Sequence, residues 1–291
     1  MKPVLLHGRG GLGDAVFMRP FVRQARWRGP VYVDTSWPEL YADLGAFVVR
    51  RIGGLALQRH HGDQHPGSTW SELPRGAKPV NLRYRWAQLS RRSMLAEMER
   101  LSGITPDPLR LDLPPLPAAP VRGRYAVIRP PAARLDYPGP AREPRTEYVH
   151  QAAALLRAEG WRVISLGAFV PALEEPMGAP VPADLRFEQG ELPLREALAL
   201  VAGAALVVTS PGWMIPVGMA AGVPVIVIAG GCGARNSPEA VCDRRLGAPV
   251  TWLLPDRYCR CNDRLHDCPK EITGFADRFA DAVGARKAVA A

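Results

Sequence analysis

The sequence predicts an α/β protein of two doubly wound, Rossmann-like domains that face one another across a cleft. Two observations predict it. Short apolar runs ending in glycine or an acidic residue alternate with helical patterns twice, once in each half of the 291 residues. That alternation is the pattern of parallel strands joined by crossover helices. Between the halves, residues 106–120 carry Pro106, Pro108, Pro114, Pro115, Pro117 and Pro120, a stiff linker in which no regular element continues. The expected division is therefore a domain over residues 1–118 and a second over 119–291. The length suits two cores of ordinary size. Ligands in such folds sit outside the carboxyl ends of the strands, so a cleft between the domains is the expected site.

In the first half, residues 3–7 read as a strand. A helix follows from Asp14 to about residue 27, with Ala15, Val16, Phe17, Phe21, Val22 and Ala25 on its apolar face. Pro20 lies inside this pattern and is expected to kink or restart it. Residues 31–33 form a second strand ending at Asp34, residues 37–44 a short helix and residues 47–49 a third strand. Residues 53–80, rich in Gly, His and Pro, read as a long irregular loop, and 89–101 as a basic amphipathic helix. In the second half, strands are expected at 125–128, 161–166, 205–209 and 223–228, and helices at 147–159, 194–202 and 213–221. A last amphipathic helix over about 270–285 is a candidate to pack back on the first domain.

Charge is unevenly distributed. Of the net +9, all falls in residues 1–124, which hold nineteen Lys and Arg against ten Asp and Glu, while the remainder is balanced at eighteen of each. A preference for GC-rich codons accounts for arginine over lysine but not for this asymmetry. A basic half points to a polyanionic partner, the plainer reading being a solvated basic surface. No stretch reaches the roughly 18–20 apolar residues of a membrane span. The start, Met1-Lys2-Pro3 and a short apolar run broken by His7, does not read as a signal peptide, so a cytoplasmic location is expected. Five cysteines, an odd number, argue against a disulfide framework.

The most telling stretch is Gly8-Arg9-Gly10-Gly11-Leu12-Gly13-Asp14, directly after the first apolar run. As bare spacing, Gly8-x-Gly10-x-x-Gly13, with Asp34 about 20 residues on, matches a dinucleotide fingerprint. That reading makes the chain an NAD(P)-dependent oxidoreductase or epimerase. Asp14 opposes it, because a carboxylate on the first helical turn repels a docked pyrophosphate, and no Tyr-x-x-x-Lys pair follows. The same carboxylate, kept ionised by a helix N-terminus, is well placed as a general base. The plainer alternative is a helix cap, worth about 1 kcal/mol.

The run from Gly10 to Arg23, with its Gly-Asp step and Pro20 six residues later, resembles the opening motif of the heptosyltransferases, glycosyltransferase family 9. The helix–strand pattern from Leu194 to Thr209 resembles that family's unit before its donor loop. The stretch from Ala220 through Gly222-Val223-Pro224 to Gly231 resembles its last helix, turn and strand. The resemblance implies the GT-B fold, with an acceptor in the first domain and a UDP- or ADP-type nucleotide sugar in the second. At the donor loop the family usually carries Asp-Thr-Gly and then a His three residues on. Here the chain reads Ser210-Pro211-Gly212-Trp213-Met214-Ile215-Pro216, with neither carboxylate nor imidazole.

The expected chemistry is an inverting transfer, in which Asp14 deprotonates an acceptor hydroxyl as it attacks the anomeric carbon. Gly11, Gly13, Arg19, Arg83 and Arg85 are expected on the acceptor side. On the donor side, Arg129, Arg134 and Arg142, with Arg145 nearby, are candidates to neutralise the leaving diphosphate. Gly167, Ser210, Gly212, Trp213 and Met214 complete that side, with the helix beginning at Trp213 aimed at the phosphates. No Asp-x-Asp motif is present, so the transfer is expected to need no metal and no other cofactor. Cys259-x-Cys261 and His266-x-Cys268 are four soft ligands within ten residues, a tetrahedral set suited to structural zinc, the alternative being reduced thiols packing a loop. His60, His61 and His65 are weaker candidates to line the acceptor side.

Two anionic acceptors fit the basic half: a hydroxymethylated DNA base, flipped into the cleft, and a lipooligosaccharide core. The short chain and altered donor loop favour the first, in the manner of phage-type enzymes. Arg83, Arg85, Arg91, Arg92 and Arg100, close in sequence to Tyr84 and Trp86, are the expected contacts. A nucleic-acid-binding module without enzymatic activity is a further class, but it leaves Asp14 and the cleft unused. A monomer is expected.

Overall fold

The computed structural model describes residues 2–51, 53–64 and 70–289. The first domain contains β1 (Val4–His7), α1 (Leu12–Ala25), β2 (Val31–Thr35), β3 (Phe47–Arg50), α2 (Ala56–Asp63), β4 (Lys78–Asn81) and α3 (Met94–Ser102). Its sheet runs in the order β3-β2-β1-β4 and is parallel throughout. The second domain contains β5 (Tyr125–Ile128), β6 (Ala132–Arg134), α4 (Thr146–Ala158), β7 (Arg162–Leu166), β8 (Glu174–Pro176), β9 (Leu185–Phe187), α5 (Leu194–Ala202), β10 (Leu206–Thr209), α6 (Met214–Ala221), β11 (Val225–Ile228), α7 (Gly233–Asn236), α8 (Pro238–Val241), β12 (Val250–Leu253) and α9 (Phe275–Val289). Its main sheet, in the order β12-β11-β10-β5-β7-β9, is also parallel, with β6 and β8 paired antiparallel beside it. Every residue of β5, β10 and β11 is buried, as expected of central strands covered by helices on both faces.

The doubly wound pattern expected from the sequence is present in both halves. Departures occur where the apolar signal is thin. Residues 53–80, read as irregular, contain α2, whose one buried residue is Leu57, and β4, a four-residue edge strand holding Pro79. Residues 37–44 form two 3-10 turns, Pro38–Leu40 and Ala42–Leu44, in place of a helix. Helix α1 continues through Pro20 without restarting. The last helix stays with the second domain: Phe275 of α9 stacks on Tyr148 of α4 with ring centroids 4.7 Å apart, and Phe279 extends the stack.

The two domains share one apolar core. Phe17 and Met18 of α1 and Met214, Ile215 and Val217 of α6 belong to the same buried cluster. A β-carbon on Gly13 would lie 3.1 Å from Trp213 Cα and 3.2 Å from Pro216 Cγ. Glycine at this position lets the N-terminal ends of α1 and α6 meet without the tight contact a β-carbon would make. Polar contacts support the same arrangement. Ser93 Oγ donates to Asp243 at 2.5 Å, Arg245 donates to Glu99 at 3.0 Å, and the Leu57 N–H donates to Asp136 at 2.9 Å.

Arg19, expected at the acceptor, is inside the first domain. It is 0% exposed, donates to Asp43 at 2.9 and 2.7 Å and to Asp112 at 3.1 Å, and also meets the Leu40 carbonyl. Asp112 lies in the proline-rich linker, so this buried cation pins the linker to α1, with Arg23 as a second, half-exposed partner. Removing the buried charge strands Asp43 and leaves Asp112 to Arg23 alone, whereas Arg23 makes a surface pair. Arg19→Ala is expected to lower unfolding free energy by about 3–5 kcal/mol. Arg23→Ala is expected to cost under about 1 kcal/mol in the same urea titration.

Candidate active site

The glycine loop leaves the carboxyl end of β1 and turns into α1 at Gly11, placing Asp14 at the third helical position. There it is not the cap residue itself, which is Gly11. Tyr84 donates its phenolic O–H to Asp14 Oδ1 at 2.6 Å. A β-carbon on Gly11 would come within 2.6 Å of Oδ2, so glycine there leaves room for the half-buried carboxylate. Burial raises the Asp14 pKa above the ordinary carboxylate value, while Tyr84, Arg9, the Gly11 N–H and Arg51 oppose the rise. A helix-start carboxylate held in this balance has the chemistry to accept a proton.

Arg9 and two aromatics surround it. Arg9 Nε and Nη2 donate to the Tyr84 carbonyl at 3.2 and 2.6 Å. Its guanidinium carbon lies 4.6 Å from the Tyr84 ring centroid and 4.1 Å from that of Trp86. Arg51 and Arg83 both donate to the Gly8 carbonyl, at 2.8 and 3.2 Å. Asp34, the residue a dinucleotide site needs for a ribose, is already engaged. The β1–β2 register sets it beside His7, whose Nδ1 is 3.1 Å away, and Arg51 Nε lies 3.2 Å from its other oxygen. Asp34 is thus ion-paired with Arg51 and bonded to His7, although its Oδ1 has no hydrogen-bond partner.

On the second domain, Arg129 follows β5 and is buried. One of its nitrogens donates to Glu174 at 3.1 Å, while Nε and Nη1 are buried without hydrogen-bond partners. Arg134 donates to Asp136 at 2.8 Å and also keeps a buried, unpartnered Nε. Unpaired buried guanidinium N–H groups are costly and fit an absent anion. Arg142 binds Glu143, whose other oxygen accepts from Ser210 Oγ at 2.7 Å. Burial alone would raise the Glu143 pKa, but Arg142 and Arg129 outweigh it and hold it ionised. Ser210 therefore anchors the loop from inside, and Gly212 remains partly exposed at its tip. Trp213 packs at Gly13, and Met214, expected at the donor, is a fully buried core residue. Gly167 ends β7 against the Phe169 ring, a packing role, and Arg145 pairs with Glu271 at the surface.

The arginines expected on the acceptor side, Arg83, Arg85, Arg91, Arg92 and Arg100, are all exposed, and Arg92 and Arg100 also pair with the fully buried Glu97. Of the loop histidines, His61 packs its ring near Trp37, His60 meets Gln64, and His65 lies outside the described residues.

The ligand atoms of Cys259, Cys261, His266 and Cys268 all lie within 4.8 Å of one another. Cys261 and Cys268 sulfurs are 3.6 Å apart, and His266 Nδ1 is 3.3 Å from Cys268 and 3.5 Å from Cys259. Three sulfurs and one imidazole fit a four-coordinate soft metal.

No protein-family model and no curated protein matches the chain. Solved structures do. The iron-containing dodecameric glycosyltransferase TibC from enterotoxigenic E. coli H10407 superposes with a TM-score of 0.63 at 17% identity, covering 100% of this chain and 77% of that one. Its complex with ADP-D-beta-D-heptose gives 0.61 at 16%, with the same coverage. E. coli ADP-heptose LPS heptosyltransferase II gives 0.54 at 16%, covering 98% of both chains. A glycosyltransferase family 9 protein from Veillonella parvula DSM 2008 gives 0.53 at 12%, covering 87% and 85%.

The chain has the GT-B fold. In GT-B terms, Asp14 stands on the first domain and the Ser210–Trp213 loop on the second, brought together at the Gly13–Trp213 contact. The sequence reading missed Arg9, Glu143, Glu174 and Arg235. It noted Tyr84 only as an aromatic near arginines, because its bond to Asp14 spans 70 residues.

Two titration outcomes follow from the Asp14 environment. Tyr84 stabilises the ionised form, so Tyr84→Phe raises the Asp14 midpoint in a carbon-detected NMR titration. Because its folded-state pKa lies above the unfolded one, the fold loses stability as pH rises from the ordinary carboxylate range through that raised value. Asp14→Asn removes the cost, so its Tm at neutral pH equals or exceeds that of the unaltered protein.

Proposed function

We propose that the chain is an inverting glycosyltransferase that moves a sugar from a nucleoside diphosphate donor to a hydroxyl on an anionic acceptor. The observation that carries the reading is the Gly13–Trp213 contact. It sets a half-buried, helix-start carboxylate beside the loop of the second domain, where such folds bind donors. Asp14 takes the proton of the acceptor hydroxyl as its oxygen attacks the anomeric carbon. The bond from that carbon to the diphosphate oxygen breaks, and the diphosphate leaves with the bonding pair. Arg129, with two unpartnered N–H groups, and Arg134, with one, take up the developing charge. Tyr84 and Arg9 orient the base.

An ADP-type donor is favoured over a UDP-type one by the ADP-D-beta-D-heptose bound by TibC, and a heptose by the heptosyltransferases among the structural neighbours. For the acceptor, a hydroxymethylated DNA base is preferred to a lipooligosaccharide core on the basic first half, with Arg85 and Arg91 as its exposed contacts. Arg83, Arg92 and Arg100 already have internal partners and add less. The dinucleotide reading is set aside because the solved structures that match over the whole chain are glycosyltransferases. The Cys259–Cys261–His266–Cys268 set holds a structural metal, zinc by its ligand chemistry or iron by analogy with the iron-containing TibC. It takes no part in the transfer itself.

Thermal-shift screening against ADP-sugars, UDP-sugars and NAD(P) tests the donor class. Stabilisation by NAD(P) alone overturns the reading. Mass spectrometry after incubation with hydroxymethylcytosine DNA or with lipooligosaccharide identifies the acceptor. Asp14→Asn should lower turnover by about 10²–10⁴-fold with donor affinity within twofold. Arg129→Ala should weaken ADP binding by about tenfold or more, the loss of charge-assisted hydrogen bonds. Elemental analysis should find about one equivalent of metal per chain, lost in Cys261→Ser.

A further inference from the structure

The short helix α7 is gripped by the Cys/His loop along its length. The Gly233 N–H donates to the Cys259 carbonyl at 2.9 Å and the Ala234 N–H to the Cys261 carbonyl at 3.1 Å. Arg235 Nε donates to Asn262 Oδ1 at 2.6 Å, and the Tyr258 O–H donates to the Asn236 carbonyl at 3.1 Å. A β-carbon on Gly233 would fall 2.8 Å from the Tyr258 ring and 3.0 Å from the Cys259 carbonyl oxygen, so the fit admits only glycine. Cys232, which precedes the helix, holds φ at 55°, a left-handed conformation unusual outside glycine.

Arg235 leaves this clasp toward the first domain. Its guanidinium carbon lies 5.2 Å from the Trp86 ring centroid. Trp86 also carries Arg9 at 4.1 Å and meets Tyr84 edge-on, with centroids 5.1 Å apart. Tyr84 in turn holds Asp14. An unbroken series of contacts thus runs from the metal ligands to the base, crossing between domains at Arg235 and Trp86.

We propose that Arg235 is a positioning residue for Asp14, placed by the metal-loaded Cys/His loop and acting through Trp86 on Arg9 and Tyr84. The proposal rests on the metal and base assignments made above. Residues 258–268 form no regular secondary structure, so their shape depends on their side-chain ligands. A metal held by Cys259 and Cys261 fixes the two carbonyls that carry α7. Its binding energy thereby becomes rigidity at Arg235. A guanidinium over an indole face restrains that ring, and the ring restrains Arg9. The charged and titratable groups around Asp14 are Arg9, Arg51, Tyr84 and Tyr41. Of these, Arg9 and Tyr84 contact Trp86.

The test compares metal-loaded and chelator-stripped protein by tryptophan emission and by NMR titration of Asp14, neither of which needs a substrate. Stripping is expected to shift the emission of the unaltered protein, and Trp86→Phe to abolish most of that shift. Loaded Arg235→Ala should keep its metal, show the emission of the stripped protein and titrate Asp14 about half a pH unit higher or more. Arg235→Lys should fall between. Should Arg235→Ala lose its metal, loaded Trp86→Leu carries the test, with the same upward shift of Asp14 expected. An undiminished emission response in Trp86→Phe overturns the proposal, as does an unmoved Asp14 in loaded Arg235→Ala or Trp86→Leu. A purified protein that takes up no metal overturns the metal reading, and the proposal with it. Metal uptake without a Trp86-dependent response overturns the positioning alone.

Discussion

The structure depends on the meeting of two helix starts. Helix α1 begins at the glycine loop and α6 at the donor-side loop, and Gly13 lets them approach to van der Waals distance of Trp213 and Pro216. That approach sets Asp14 beside the Ser210–Trp213 loop. Both helices direct their N-terminal dipoles to the same region, which favours negative charge there. The Asp14 carboxylate on one helix and the diphosphate proposed beside the other would be served by the same electrostatics. The core follows the same logic, since α1 and α6 contribute to one shared apolar cluster.

Around this junction, buried charge is distributed in two ways. Where stability is the task, each cation is saturated, as Arg19 is by Asp43 and Asp112. At Arg129 and Arg134, the proposed diphosphate partners, pairing is left incomplete. Asp14 belongs to the second kind. Its burial opposes ionisation while Tyr84 and Arg9 favour it, which suits a group that must accept a proton and release it. Such sites cost stability, and the saturated pairs and the shared core offset that cost.

The Cys/His loop gives the second domain a rigid feature where its secondary structure ends. Loop 137–143 is joined to it through the Arg264 side chain on the Pro138 carbonyl, and through the Ala141 N–H on the Arg264 carbonyl. That same loop carries Arg142 and Glu143, the latter holding Ser210. One small cluster of soft ligands therefore steadies the donor loop on one side and α7, facing the first domain, on the other.

Local sequence determined much of this. Strand and helix order, the linker, the glycine turn with Asp14 and the four soft ligands were legible because each depends on residues near in the chain. Periodicity, proline and glycine report directly on backbone state. The thin elements α2 and β4 escaped because they bury little apolar surface. Residue roles escaped where they depend on partners far along the chain. Arg19 and Arg129 are both arginines in apolar surroundings, and only folding gives one two carboxylates and leaves the other N–H groups open. Met214 and Gly212 stand two positions apart, yet one faces the core and the other the surface. Tertiary structure alone decided that Tyr84 holds Asp14 and that Arg235 meets Trp86, because a side chain's electrostatic role is set by whatever the fold brings within a few ångströms of it.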